Sequence, residues 1–127
     1  MLIMPRGQDF RNQNLPLWRG KPVRRMQVMV KPTGPLCNLN CTYCYYLGKQ
    51  DLLSTANRWR ISDEVLEAFI RQYFAGQNYK EVIFSWQGGE PTLLGLDFFR
   101  RVVELEKQYC PRHVRVENDL QTNGTLL

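Results

Sequence analysis

Three cysteines stand close together in the segment Cys37-Asn-Leu-Asn-Cys41-Thr-Tyr-Cys44. A loop this short can wrap three thiolates around one compact metal centre. Four cysteines would occupy every iron of a cubane iron–sulfur cluster, whereas three leave one iron without a protein ligand, and a substrate can bind at that position. The spacing therefore predicts an iron–sulfur centre with an open coordination position.

Two alternatives for these cysteines stay open at this point. A structural zinc site would take His113, the single histidine of the sequence, as its fourth ligand. We expect His113 at the start of a strand, at the sheet edge opposite the cysteine loop, where it is badly placed for that role. The three thiols could also be buried without a metal. Cys110 ends a predicted helix, and we expect it to be a small apolar filler.

The composition describes an ordinary globular domain. The chain has 127 residues, of which 43% are hydrophobic and 23% are charged. No apolar run is long enough to cross a bilayer, and the first ten residues lack the apolar core of a signal peptide. We therefore predict a cytoplasmic protein that does not associate with membranes, a setting in which clustered cysteines indicate metal rather than disulfides.

The net charge of +5 is concentrated near the start of the chain. Residues 1–24 contain several prolines and glycines, have no clear periodicity and are interpreted as an extension. A basic arm can bind nucleic acid, but this one has neither a dense basic run nor interleaved stacking aromatics. We expect a solvated extension and no nucleic-acid partner. The basic residues involved are Arg6, Arg11, Arg19, Lys21, Arg24 and Arg25.

The rest of the sequence alternates between strand and helix patterns. Ser62 is predicted to cap the N-terminus of a helix that has acidic residues in its first turn and ends at Gly76. The predicted order is a strand at 26–31, a helix at 63–76, a strand at 81–86, a helix at 96–109 and a strand at 114–122. The predicted buried stripes are Val65, Leu66, Phe69, Ile70 and Tyr73 in the first helix and Phe98, Phe99, Val102, Val103 and Leu105 in the second. This alternation predicts an α/β fold with a parallel sheet.

A second motif, Gly88-Gly89-Glu90-Pro91, follows the second predicted strand. A Cys-x3-Cys-x2-Cys loop and a Gly-Gly-Glu turn after successive strands resemble the radical S-adenosylmethionine (SAM) superfamily. Segments 31–47, 86–99 and 121–127 are similar to the anaerobic sulfatase-maturating enzymes. The resemblance covers residues 25–127 and implies the N-terminal part of a partial (β/α)6 TIM-like barrel, incomplete in this chain.

The resemblance also implies a chemistry. Cys37, Cys41 and Cys44 would ligate a 4Fe-4S cluster, and S-adenosylmethionine would chelate the open iron. Reductive cleavage of S-adenosylmethionine would give methionine and a 5′-deoxyadenosyl radical. This radical would serve to oxidise a sulfatase cysteine or serine to Cα-formylglycine. The alternatives are another peptide-modifying reaction, or a cluster-binding fragment without turnover. The electron would come from a flavodoxin- or ferredoxin-like donor, and we expect the general base to lie outside this chain.

The same resemblance assigns the remaining site residues. Tyr43 matches an aromatic position beside the adenine, and Gly88 and Gly89 would let the backbone approach the ligand because they lack a Cβ atom. Glu90 would place negative charge near the ammonium group. Residues at the ends of the second and third strands are weaker candidates for the same pocket: Gln87, Gln121, Thr122 and Asn123.

Overall fold

A computed structural model of the chain describes residues 26–49 and 60–127, together with the backbone at 17–18 and 21–22. Most of the predicted extension, residues 1–24, lies outside the described residues. Within it, strands β1 (Leu17–Trp18) and β2 (Lys21–Pro22) pair antiparallel. The sequence did not predict this pairing, because strands of two residues are too short to show a period.

The described core is a three-stranded parallel sheet with two helices, so the predicted α/β class is confirmed. The strands lie side by side in the order β3–β4–β5. The elements are β3 (Val28–Val30), α1 (Asp63–Gly76), β4 (Glu81–Trp86), a 3-10 turn (Pro91–Leu94), α2 (Gly95–Tyr109) and β5 (Arg115–Leu120).

Helix α1 begins where the sequence predicts it. The Ser62 hydroxyl accepts a hydrogen bond from the Val65 amide, and Gly76 is the last helical residue. The buried positions are Leu66, Ile70, Tyr73 and Phe74. The prediction that Val65 is buried was wrong: its side chain is 56% exposed, because the apolar stripe follows the side of the helix that faces β4.

Alternate residues of β4 build the core. Val82, Phe84 and Trp86 point to one face of the sheet and are at most 2% exposed. Both helices pack on that face, with Tyr73 of α1 5.0 Å from Phe84 and Phe98 of α2 5.8 Å from Trp86, between ring centroids. Truncating Phe84 to alanine would lower the free energy of unfolding by about 3–5 kcal/mol.

Helix α2 buries a narrower stripe than the sequence suggests. Phe98, Val102 and Leu105 are buried as predicted and Phe99 is half-buried, but Val103 is 41% exposed. The prediction for Val103 was therefore wrong. Glu106 takes a buried place instead, where a carboxylate oxygen accepts a hydrogen bond from the Asn118 amide at 3.0 Å. Burial raises the pKa of Glu106 above its ordinary value, although the Asn118 bond partly opposes this shift.

Strands β3 and β5 are shorter than predicted at both ends, and they begin at Val28 and Arg115. Strand β4 has the predicted bounds, but β3 ends at Val30 and β5 at Leu120. The Lys31 carbonyl already accepts the Gly34 amide of a turn at 3.0 Å. No helix within the described part of the chain is long and apolar enough to span a bilayer, and a cytoplasmic location stays a prediction.

Candidate cluster and cofactor site

The three segments that carry the predicted site residues meet at one edge of the sheet. Parallel strands place their carboxyl ends together, so the loops after β3, β4 and β5 are neighbours. Backbone hydrogen bonds continue past the strands, from the Gln87 amide to the Val30 carbonyl at 2.8 Å and from the Gln121 amide to the Trp86 carbonyl at 2.9 Å. The cysteine loop, the Gly-Gly-Glu turn and the end of β5 therefore form one surface.

The Gly-Gly-Glu turn lies against the entrance to the cysteine loop. The Gly89 amide donates to the Gly34 carbonyl at 2.8 Å, and the Glu90 amide donates to the Leu36 carbonyl at 2.7 Å. A Cβ atom on Gly89 would lie 2.0 Å from the Leu36 carbonyl oxygen, and one on Gly88 would lie 2.8 Å from the Gly34 oxygen. Gly88 also has a φ of +121°, a conformation that favours glycine.

Both glycines are therefore required by the chain itself. The sequence resemblance implies that the missing Cβ atoms let the backbone approach a ligand. The structure gives a different reason, since the space beside these glycines is occupied by the backbone of residues 34–36.

All three predicted ligand cysteines line one open pocket of about 360 Å³. A backbone hydrogen bond from Cys44 to the Cys41 carbonyl, 2.9 Å long, places these two cysteines on one turn. The Cys37 sulfur accepts hydrogen bonds from the Leu39 amide at 3.4 Å and from Asn123 Nδ2 at 3.6 Å. The pocket is lined by Cys37, Leu39, Cys41, Tyr43, Cys44, Tyr45, Tyr46, Gly88, Gly89, Gln121, Thr122 and Asn123.

Three thiolates from one loop are the donor chemistry of an iron–sulfur cluster. Among residues 26–49 and 60–127, no three side chains of His, Cys, Asp or Glu are close enough to share one metal ion. In a cubane, each thiolate binds a different iron, so the sulfurs do not need to converge on one point. His113 lies just before β5, at the opposite edge of the sheet, which is the placement expected from the sequence.

Cys110 lies away from this pocket. Its thiol donates to the Val114 carbonyl at 3.3 Å, and burial, followed by the nearby Glu106 carboxylate, raises its pKa above the ordinary value. A protonated thiol bonded to the backbone is consistent with the predicted structural role.

The tyrosine before the last ligand cysteine stands at the rim of the pocket. Tyr43 is 89% exposed, so its ring is free to pack against a bound ligand. A hydrogen bond with the Cys41 thiol raises the pKa of its phenol. The predicted contact with adenine stays a prediction.

Glu90 lies behind the wall of the pocket. Its side chain is fully buried and accepts four hydrogen bonds. The donors are the Thr92 amide at 2.9 Å, the Thr92 hydroxyl at 2.6 Å, the Thr122 hydroxyl at 2.8 Å and the Asn123 amide at 2.8 Å. Burial opposes the charged form of Glu90, but these bonds outweigh it and lower the pKa below its ordinary value.

The other candidates from the strand ends line two neighbouring pockets. Gln121, Thr122 and Asn123 line the cysteine pocket, and Gln121 also lines the adjacent groove that contains Gln87, Ser85 and Asp119. The geometry therefore does not bring Gln87 or the Glu90 carboxylate into the cysteine pocket. Sequence reasoning missed Asn38 and Thr125, whose side chains join the cysteine loop to the end of β5 through a 2.7 Å hydrogen bond. Polar residues in loops carry no periodic signal that would have identified them.

A scan against protein families matches residues 32–127 to the Radical SAM superfamily. This chain belongs to that superfamily. Among curated relatives, it is 46% identical to a serine-type anaerobic sulfatase-maturating enzyme from Bacteroides thetaiotaomicron. The alignment spans 102 residues, which are 80% of this chain and 24% of the relative. It is 38% identical to a cysteine-type enzyme from Clostridium perfringens, over 80% of this chain and 27% of the relative.

Solved structures agree with this assignment. Native anSMEcpe with bound AdoMet and Kp18Cys peptide superposes with a TM-score of 0.69 at 38% identity, over 80% of this chain and 26% of that one. Native anSMEcpe with bound AdoMet gives a TM-score of 0.67 at 40% identity, over 78% of this chain and 26% of that one. The parallel sheet with its helices is thus consistent with part of a TIM-like barrel. The chain spans about a quarter of the length of the curated relatives it matches.

Proposed function

We propose that this chain binds a 4Fe-4S cluster through Cys37, Cys41 and Cys44 and holds S-adenosylmethionine beside it. The observation that carries the proposal is the single pocket that is lined by all three cysteines, both glycines of the Gly-Gly-Glu turn and the residues after β5. Membership of the Radical SAM superfamily supports it. When bound, the cluster supplies the electron that cleaves S-adenosylmethionine to methionine and a 5′-deoxyadenosyl radical.

The residues of the chain contribute binding and position. The Cys41–Cys44 backbone turn and the hydrogen bonds to the Cys37 sulfur hold the cysteine loop at the pocket. The Gly-Gly turn leaves its backbone at the pocket wall, where carbonyl groups can accept from an ammonium group. Tyr43 offers a ring for adenine to pack against. Glu90 supports the wall from behind through its bonds to Thr122 and Asn123.

We further propose that the radical serves to oxidise a sulfatase cysteine or serine to Cα-formylglycine. Six curated relatives of both the serine and the cysteine type are named sulfatase-maturating enzymes, at 32–46% identity. Another peptide modification that uses the same radical chemistry is the second candidate, because the cysteine pocket is proposed to bind the cofactors and does not identify the peptide. We propose a flavodoxin- or ferredoxin-like protein as the electron donor.

Anaerobic reconstitution with iron and sulfide tests the cofactor proposal. We expect the wild-type chain and Cys110→Ala to take up four irons per chain, the content of a 4Fe-4S cluster, with its absorption, and Cys44→Ala to take up far less. Cys110→Ala is the matched control, because it also removes one thiol. Equal iron uptake by Cys44→Ala and wild type would refute the ligand assignment.

Product analysis separates the reaction candidates. The reduced, loaded chain is incubated with S-adenosylmethionine and a sulfatase peptide. Methionine and 5′-deoxyadenosine report cleavage, and the peptide mass reports formylglycine. Cleavage without formylglycine would favour another substrate or a partner segment, and a loaded chain without cleavage would favour a cluster-binding role without turnover.

A further inference from the structure

The Asn123 side chain links the end of β5 to the first cysteine of the loop. Its Nδ2 atom lies 3.6 Å from the Cys37 sulfur and 2.9 Å from Asn38 Oδ1. The two hydrogens of the amide group can serve both acceptors at once. An N–H···S contact therefore reaches a proposed cluster ligand from a different strand of the sheet.

The orientation of this amide is fixed by its neighbours. Asn123 Oδ1 accepts from the Thr125 amide at 3.0 Å and from the Thr125 hydroxyl at 2.8 Å. A flipped amide would set its NH2 group against the Thr125 N–H, which can only donate. The backbone is also held, because the Asn123 amide donates to the buried Glu90 carboxylate. Although Asn123 is exposed, its NH2 group is directed at Cys37.

Hydrogen bonds to cysteine sulfurs are one of the main controls on the reduction potential of an iron–sulfur cluster. Reduction adds negative charge, part of which resides on the sulfurs, so a donor to sulfur stabilises the reduced form more than the oxidised form. A donor on a ligand cysteine consequently raises the potential. Cys37 has two such donors among the described residues, and only the one from Asn123 comes from a side chain.

We propose that Asn123 is a positioning residue that donates a hydrogen bond to the Cys37 thiolate and raises the reduction potential of the cluster. This inference rests on the proposed function, because it needs a cluster bound to Cys37. The Asn123 side chain is thereby assigned to the Cys37 sulfur, whereas the sequence resemblance suggested only a place in the cofactor pocket.

Redox titration of the reconstituted chain, followed by electron paramagnetic resonance, tests the inference. Asn123→Asp keeps the oxygen that accepts from Thr125 but replaces the donor by a charged acceptor. Asn123→Ala removes the donor without adding charge. Thr125→Val is the control, because it loses the hydroxyl bonds to Asn123 and Asn38, while the Thr125 backbone amide still donates to Asn123 Oδ1 and keeps the NH2 group directed at Cys37.

We expect Asn123→Asp to be about tenfold less reduced than wild type at a fixed potential, which for one electron is a shift of about 59 mV to lower values. Asn123→Ala should shift in the same direction by a smaller amount, and Thr125→Val should match wild type.

Equal potentials in loaded wild type and Asn123→Ala would overturn the inference and leave the proposed function intact. So would a failure of both Asn123 variants, but not Thr125→Val, to bind a cluster, since the residue would then hold the cluster rather than tune it. A wild-type chain that takes up no cluster would refute the proposed function itself, and the inference with it.

Discussion

Replacing Gly89 by alanine adds one carbon atom at the closest contact between the Gly-Gly-Glu turn and the cysteine loop. The new Cβ atom would lie 2.0 Å from the Leu36 carbonyl oxygen, 2.4 Å from its carbon and 2.6 Å from the Pro35 carbonyl carbon. All three are backbone atoms, so no side-chain rotation relieves the contact. The two segments must move apart until the shortest distance exceeds 3.0 Å.

The cost of this movement follows from what it breaks. Two hydrogen bonds join these segments. The Gly89 amide donates to the Gly34 carbonyl, and the Glu90 amide donates to the Leu36 carbonyl. A hydrogen bond is worth about 1 kcal/mol net, and overpacking costs about 1–3 kcal/mol. We therefore expect Gly89→Ala to lower the free energy of unfolding by between about 2 and 5 kcal/mol.

Urea unfolding of the wild-type and variant chains measures this loss, and iron content after reconstitution measures its effect on the site. Gly76→Ala is a matched control, because a Cβ atom at the end of α1 meets no atom within 4 Å. We expect the control to be at least as stable as wild type, since alanine is favoured over glycine in helices by roughly 0.5–1 kcal/mol. Gly89→Ala should lose both stability and iron.

The outcome also separates two explanations of the glycine. If Gly89→Ala were as stable as wild type and took up full iron, the close approach to Leu36 would not be a constraint. If, in addition, only its affinity for S-adenosylmethionine fell, the glycine would serve to make room for the ligand, as the sequence resemblance implied.

Three further results are expected. Glu90 has a pKa below its ordinary value of 4.5, so its contribution to stability is present above that pH and is lost as the pH falls below it. Glu90→Gln should lower the free energy of unfolding at pH 7 by about 1–3 kcal/mol and make stability in urea depend less on pH on the acid side. An unchanged pH dependence would contradict this role. Glu106 has a raised pKa, so its contribution is full below 4.5 and is lost as the pH rises through the folded value. Glu106→Gln should therefore stabilise the chain at pH 7 by on the order of 1 kcal/mol, because it removes a buried charge and keeps an oxygen that accepts from Asn118. A destabilised variant would show that the charge is needed. The loaded chain should lose its cluster absorption in air, since one iron of the proposed cluster would lack a protein ligand, and a colour that persists would indicate a fourth ligand.

The order of the elements could be predicted because its signals are local. Strand β4 has the predicted bounds, and the Ser62 cap starts α1 where the sequence places it. Val65 and Val103 were predicted to be buried and are not. Both lie at the margin of an apolar stripe, where burial depends on which neighbour the helix meets. That neighbour, the β4 face with Phe84 and Trp86, is set by tertiary packing and not by the helical period.

The meeting of the three loops could also be predicted, since parallel strands end at one edge. The individual contacts within the site could not. An acid beside an expected cation suggests a ligand when only the sequence is known. In the structure, Thr92, Thr122 and Asn123 already occupy both oxygens of Glu90. Two of these donors come from a segment more than thirty residues away, and no local pattern reports such a contact.

Glu90 connects the loops that follow all three strands. Its backbone amide bonds to Leu36, at the entrance to the cysteine loop, and its carboxylate holds the end of β5. From there Asn123 reaches back to Cys37. All four donors to the carboxylate need an acceptor, and an amide side chain in its place would present an NH2 group to at least one of them. The carboxylate of the Gly-Gly-Glu turn thus shapes the pocket before any ligand is bound. Its charged form is favoured because both oxygens must accept hydrogen bonds from these donors.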